Sequence, residues 1–212
     1  MDGTVLWVVQ HPVLRQALAS VRDRDLPSDK FRAQCHRAGL ILLAAATREL
    51  RGDPDDVVLV PVLRAGLGFQ DAALALLPAA TTTPVGLWRD ERTLEPHWYT
   101  DGVPDDLSGR AAIVLDPMLA TGGTAGAVAS RLRDRGATQI MVVCLICVEQ
   151  GLSRLERDAG ACEVFTAAQD QGLDEHGYIL PGLGDAGDRL FGPKGDGAPA
   201  GFQTANNQPS RV

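Results

Sequence analysis

At 212 residues, 45% of them hydrophobic and 22% charged, the chain suits one sizeable globular domain and is too short for two comfortable ones. Its net charge of −7 argues against a nucleic-acid partner, which would need a basic face, but not against a phosphorylated small molecule held by a few amides and arginines. No apolar run approaches the ~20 residues of a membrane span, and no basic stretch followed by an apolar core marks a signal peptide, so a cytoplasmic protein without a membrane partner is expected.

In chain order, His11-Pro12 opens a helix with proline near its first turn, continuing through Leu14, Leu18 and Val21. Ser28 is the expected N-cap of a long helix through Phe31, Ala38, Leu42 and Ala45, ending near Arg51-Gly52. Val57 to Val62 reads as a buried strand, and Phe69 to Leu77 as a helix after a glycine-rich turn. Pro84 to Trp88 is a short strand; Arg89 to Leu107 is polar and irregular, long enough to suggest a mobile functional loop. Ala111 to Leu115 is a strand, Thr124 to Arg135 a helix, and Ile140 to Val148 a continuous apolar strand. A short helix from about Gly151 to Arg157 and a strand Glu163 to Thr166 follow. Gln169 to Gly192 is an ordered loop system rich in glycine and aspartate. The expected domain is residues 1–192, and 193–212 read as a disordered tail. Strands alternating with helices imply a parallel sheet covered by helices.

The four cysteines show no disulfide-scaffold spacing. Cys144 and Cys147 form a C-x-x-C inside the apolar strand and are expected to be buried packing thiols rather than a metal or redox pair. The histidines are scattered and offer no zinc pattern.

Three stretches carry chemistry. Ile113-Val114-Leu115-Asp116 is a strand ending in a carboxylate, followed by Pro117-Met118-Leu119-Ala120 and a turn, Thr121-Gly122-Gly123-Thr124, into a helix. Ligands of open parallel sheets bind beyond the carboxyl ends of strands, and a helix N-terminus presents unpaired N–H groups to an anion. Asp116 can accept from sugar hydroxyls, while Thr121 and Thr124 add donors. Leu63-Arg64-Ala65-Gly66 follows a strand of the same type. There Arg64 can bind a second anion bidentately, and the Ala65 and Gly66 amides can close around pyrophosphate oxygens. The third stretch, His176 to Arg189, holds so much glycine that its backbone is expected either to touch a ligand or to form a rigid surface turn with Asp188 and Arg189 solvated.

Leu63–Phe69, Arg89–Pro96, Asp116–Thr124 and His176–Gly192 together resemble the uracil phosphoribosyltransferases, with Asp-Pro-Met-Leu-Ala-Thr-Gly-Gly and Pro-Gly-Leu-Gly-Asp-Ala-Gly-Asp-Arg the most specific runs. The resemblance spans about His11 to Gly192. It implies an α/β fold, a phosphoribosyltransferase-type mostly parallel sheet flanked by helices, with a small C-terminal base-binding hood. It also implies transfer of phosphoribose from 5-phosphoribosyl 1-pyrophosphate (PRPP) to uracil, giving UMP and pyrophosphate, with Mg2+ bound mainly through the diphosphate. By position, Asp116 to Thr124 would hold the ribose 5-phosphate and ribose hydroxyls, and Arg64 and Arg89 the diphosphate, with Ala65 and Gly66 beside them. Tyr178, Ile179 and Gly184-Asp185-Ala186 would recognise the pyrimidine, Asp185 also facing PRPP. The loop from Glu95 to Pro104 would close over the site.

Three departures from the family pattern stand out. The arm that relatives use for dimer contact is reduced to Gly52-Asp53-Pro54-Asp55-Asp56, so a homodimer is expected without its usual mode. A loop that usually reads Ala-Ala-Pro-Glu-Gly is Cys147-Val148-Glu149-Gln150-Gly151 here. This change leaves open a phosphoribosyltransferase with another base-like acceptor, beside a non-catalytic binder of UMP or PRPP. Around Pro96 to Pro104 the usual double tyrosine and lysine are partly lost, with Tyr99 retained.

Overall fold

The computed structural model describes residues 3–89 and 96–193. In chain order it runs β1 (Val5–Val8), α1 (Pro12–Arg22), α2 (Ser28–Arg48), a 3-10 turn (Pro54–Asp56), β2 (Val57–Pro61), α3 (Leu67–Leu76), β3 (Thr81–Thr82), β4 (Val85–Arg89) and β5 (Pro96–Asp101). It continues with β6 (Ala111–Leu115), β7 (Met118–Leu119), α4 (Gly123–Asp134), β8 (Gln139–Cys147), α5 (Glu149–Ala159), β9 (Glu163–Gln169), β10 (Gly172–Leu173), β11 (Ile179–Leu180) and α6 (Ala186–Phe191).

The central sheet has the order β1-β9-β8-β6-β2-β3, with β7 added to β8, and every described pairing in it is parallel. Every residue of β2, β6 and β8 is buried, as apolar strands covered on both faces must be. Alternation sorts their side chains into two layers. Leu59, Ile113 and Leu115 join Phe31, Leu42 and Phe69 from α2 and α3 on one face. Val60, Ala112 and Val114 join Val128 and Leu132 of α4 and Leu155 of α5 on the other. Among the described residues, no helix is long and apolar enough to cross a membrane.

Several local expectations shift. His11 caps α1 through Nδ1, which accepts from the Val13 amide at 3.2 Å, with Pro12 in the first turn. In α2, Pro27 rather than Ser28 holds the N-cap position and makes no side-chain cap bond. β1, β3 and β7 are strands that apolar periodicity did not mark. β1 is an edge strand with Trp7 and Val8 exposed, and the other two are dipeptides. Between α2 and β2 lies only the turn at Pro54–Asp56, with no strand between Arg48 and Val57.

The stretch expected to be irregular from Arg89 to Leu107 contains β5, paired antiparallel with β4. The Tyr99 ring covers Gly86, where an added Cβ would come within 2.3 Å of it, and Trp88 stacks on His97 with ring centroids 4.6 Å apart. Arg131 of α4 lies over Trp98 at 5.0 Å and pairs with Asp101. These aromatic contacts and the ion pair give a polar segment its strand conformation and tie the hairpin to α4. Its tip, including Glu95, lies outside the described residues, as does most of the expected tail.

Candidate active site

β2, β6 and β8 end at the same rim, and the loops that follow them meet there. After β6, the Asp116 amide donates to the Val143 carbonyl at 3.2 Å, and the Pro117 carbonyl accepts from Leu145 at 2.8 Å and Ile146 at 3.3 Å. The loop is thereby stitched onto β8 as β7 before the chain turns into α4. The turn depends on glycine. Gly122 is left-handed at φ +78°, and a Cβ there would sit 2.4 Å from the Gly151 carbonyl oxygen. Gly151 in turn lies so near Ala120 that a Cβ would approach its carbonyl oxygen to 2.4 Å. This close fit fixes the α4 N-terminus, whose first amides lack intrahelical partners, beside partly exposed Thr121 and Thr124.

The structure divides the run from Asp116 to Thr124. Leu119 is 2% exposed and packs in the core, Pro117 is buried, and the Met118 amide donates to Asp116 Oδ1 at 3.3 Å. Asp116, Met118, Ala120, Thr121 and Thr124 keep partial exposure at the rim, with Gly122 and Gly123 buried at the turn between them.

After β2, the loop Val62 to Gly66 is equally tight. The Gly66 amide donates to the Val62 carbonyl at 2.7 Å, so it is not available to pyrophosphate oxygens as the sequence suggested; Ala65 is partly buried beside it. The peptide joining Leu63 and Arg64 is cis. Arg64 points across to the C-terminal region, where Nη2 pairs with Asp188 Oδ1 at 2.5 Å and Nη1 approaches the Gly192 carbonyl at 3.4 Å. The Leu63 amide donates to Val85, which brings the β4–β5 hairpin to the same rim. Arg89 closes β4; its side chain lies outside the described residues.

Residues 170 to 191 form the hood. β10 and β11 pair antiparallel, and Asp174 Oδ1 holds their turn by accepting from the amides of His176 and Tyr178 at 2.9 and 2.8 Å. Asp185 is the N-cap of α6, its Oδ1 accepting from the Asp188 amide at 3.0 Å. A Cβ on Gly187 would stand 3.2 Å from Asp185 Oδ1 and 3.7 Å from Arg64 Nη2, so these two side chains flank the same glycine.

Between hood and phosphate-loop candidate lies a cavity of about 260 Å³. It is lined by Arg24, Met118, Asp174, Tyr178, Ile179, Leu180, Leu183 and Gly184. Met118, Tyr178, Ile179 and Gly184, singled out from the sequence, therefore share one wall system; Asp185 and Ala186 follow directly at the start of α6.

Sequence reading missed what holds the hood in place. Arg22 binds both carboxylate oxygens of Asp170, at 2.9 and 2.6 Å, and the Gly182 carbonyl at 3.0 Å; Asp170 also accepts from the Gly182 amide. Arg189 is only partly exposed, and its head group is engaged rather than free in solvent. Its guanidinium donates to the carbonyls of Val21, Leu183 and Asp23 and lies 4.1 Å over the Phe31 ring, and burial pulls its pKa below the ordinary value. The alternating charges of Arg22-Asp23-Arg24-Asp25 look like a solvated helix end, so only a parallel excess of acceptors in the hood hinted at these partners.

Comparison with known proteins bears directly on this geometry. A family model described as uracil phosphoribosyltransferase matches residues 8–193, which takes in every element from α1 to α6. The chain belongs to the uracil phosphoribosyltransferase family. It is 42% identical over 204 residues to a uracil phosphoribosyltransferase of Alkaliphilus oremlandii, covering 88% of this chain and 98% of the relative. Against one from a Nocardioides species it is 43% identical over 206 residues, covering 87% and 97%. A solved protein structure from Aquifex aeolicus superposes with a TM-score of 0.83 at 32% identity, covering 89% of this chain and 98% of that one. A hypoxanthine-guanine phosphoribosyltransferase from Bacillus anthracis, 12% identical, shares the fold with a TM-score of 0.50 over 76% of this chain and 82% of that one.

Proposed function

We propose that the chain transfers the 5-phosphoribosyl group from PRPP to uracil, giving UMP and pyrophosphate in pyrimidine salvage. The observation that carries this reading is the cavity lined by Met118 of the β6–α4 loop and by the hood residues Asp174, Tyr178, Ile179, Leu183 and Gly184. A pyrimidine in it would lie against the hood backbone while the sugar phosphate occupies the helix terminus.

In this reading the α4 amides and the hydroxyls of Thr121 and Thr124 hold the 5-phosphate, and Asp116 accepts from the ribose hydroxyls. Arg64 and Arg89 take the diphosphate. Arg64 must first exchange its bond to Asp188, an ion pair about one-third exposed on each side and therefore weak enough to give way. Asp185 holds the start of α6 against the base and faces PRPP. The chemistry needs no covalent nucleophile. The C–O bond at the anomeric carbon breaks through an oxocarbenium-like state while the base nitrogen is held nearby. Mg2+ bound through the diphosphate would supply charge neutralisation of that leaving group. Backbone groups of Ile179, Gly184 and Ala186 at the pyrimidine edge would reject cytosine, because an exchanged donor and acceptor leave buried groups unpaired at about 1–3 kcal/mol each.

A cytosolic homodimer completes the proposal. Four free, buried cysteines suit a reducing compartment, and sedimentation would report the assembly formed without an arm between α2 and β2. A second acceptor is the alternative, and it is favoured by one feature. Glu149 accepts from Gln169 at 3.0 Å and Gln150 reaches Gly172, so the altered loop after β8 bears on the hood.

Pyrophosphate release from PRPP and Mg2+ with a panel of bases tests the function. Turnover with uracil supports it, turnover only with another acceptor supports the alternative, and no turnover but a melting temperature raised by UMP indicates a binder. Asp185→Asn, which keeps a capping oxygen, should lose most activity while staying folded. Near-normal turnover in that variant removes Asp185 from the site.

A further inference from the structure

The turn between α1 and α2 is clamped to the hood twice. On one side Arg22 grips the carboxylate of Asp170, which is 4% exposed, and the Gly182 carbonyl. On the other, Arg189 reaches back from α6 to the carbonyls of Val21 and Asp23. Both clamps are charge-assisted and partly desolvated, and so fix the turn against the hood more firmly than neutral hydrogen bonds would. Arg24, on the turn between them, lines the cavity together with Met118, Tyr178, Ile179, Leu183 and Gly184. Among the described residues its guanidinium has no hydrogen-bond or ion-pair partner, so the clamps hold at the cavity rim a cation that those residues leave unpaired.

We propose that Arg24 contacts the acceptor base and stabilises its N-deprotonated form, making it a substrate-contacting residue on the acceptor side of the reaction. The proposal rests on the reading that this cavity takes the pyrimidine. Neutral uracil is a poor nucleophile at its ring nitrogen. Its N–H proton leaves to solvent, the nitrogen's electron pair forms the bond to the anomeric carbon, and the pair of the broken C–O bond departs with the diphosphate. A guanidinium beside a ring carbonyl oxygen, where the charge of the deprotonated base is delocalised, favours that proton loss. The other charged or titratable groups facing it do not supply this. Asp174 and Tyr178 from the β10–β11 hairpin and Asp116 near Met118 bring no positive charge. Arg189 from α6 is engaged with backbone carbonyls. On its own turn, Asp23 Oδ1 accepts from the Asp25 amide.

The test compares wild type, Arg24→Gln and Arg24→Lys with uracil and with 5-fluorouracil, whose ring N–H is more acidic. Arg24 is exposed at the cavity rim, so its replacement leaves the core intact, and melting temperatures check this. Arg24→Gln should lower kcat/KM for uracil about tenfold and move the ascending limb of its pH profile up by about one pH unit. The loss should be smaller with 5-fluorouracil, most of it should return in Arg24→Lys, and the KM for PRPP should stay within about twofold, since Arg24 lines the cavity assigned to the acceptor. Equal losses with both bases and an unmoved pH profile would overturn the inference, as would no loss at all. Wild type that turns over no pyrimidine would instead overturn the reading of the cavity on which it rests.

Discussion

Replacing Gly66 by alanine separates two physical arguments that give opposite signs. Gly66 has right-handed helical angles, φ −60° and ψ −24°, at the start of α3. On backbone entropy alone, Gly→Ala at such a position stabilises a protein by about 0.4–1 kcal/mol. The surroundings say otherwise. A Cβ there would stand 2.1 Å from the Leu115 carbonyl oxygen, 2.4 Å from the Val62 nitrogen and 2.8 Å from the Val62 oxygen, all backbone atoms that cannot swing away as a side chain would. A carbon approaches a carbonyl oxygen to about 3.3 Å at closest, so the β2 and β6 ends must separate by about 1.2 Å. That opens the bonds from Val62 to Leu115, 3.0 Å long, and from Gly66 to Val62, 2.7 Å long. Leaving these buried groups unpaired costs about 1–3 kcal/mol each, or about 2–6 kcal/mol together. In a domain of this size the melting temperature should fall by about 4–24 °C. Urea denaturation and thermal melting measure it. A variant as stable as wild type, or more so, would refute the claim that the Arg64 loop is pinned by backbone contact at Gly66. If the loop also carries the diphosphate contact, the KM for PRPP should rise in the same variant.

Two further predictions follow from the hood and the core. Asp170→Asn should destabilise the protein by about 2–4 kcal/mol, because it leaves the half-buried Arg22 without its carboxylate; hydrogen exchange should show the loss first in the hood amides, and uniform protection there would contradict the role given to the clamp. The buried Cys35 thiol is pushed up from 9.0 to about 12, chiefly by burial. The unfolded chain therefore loses this proton at lower pH than the native protein, so the stability it contributes is complete below pH 9 and lost as pH rises towards 12. Cys35→Ala should show a shallower alkaline decline, by up to about 1.4 kcal/mol per pH unit, in denaturation series from pH 8 to 11; parallel curves would show that the thiol stays neutral in both states.

Much of the sheet and its helices was legible because β2, β6 and β8 are continuous apolar runs and the helices between them carry a 3.6-residue period. The Thr121-Gly122-Gly123-Thr124 turn was legible for a local reason, since a strand, glycines and a helix start follow one another in sequence. What stayed hidden depends on partners far along the chain. β1 gains its place by pairing with β9, and β5 by stacking on β4 and meeting Arg131. The apparent availability of the Gly66 amide vanished because Val62 turns back to accept it. Arg22 and Arg189 sit in stretches that look like ordinary surface charge, because their partners, Asp170 and Gly182 for Arg22 and Val21 and Asp23 for Arg189, lie about 150 residues away along the chain.

The most direct measurement of the central claim is the product formed when the protein, Mg2+ and PRPP meet uracil, followed by mass spectrometry together with released pyrophosphate. UMP and pyrophosphate in equal amounts, with no nucleotide formed from cytosine under the same conditions, is the predicted result. Pyrophosphate released without UMP, or a nucleotide formed from another base and none from uracil, would contradict the account.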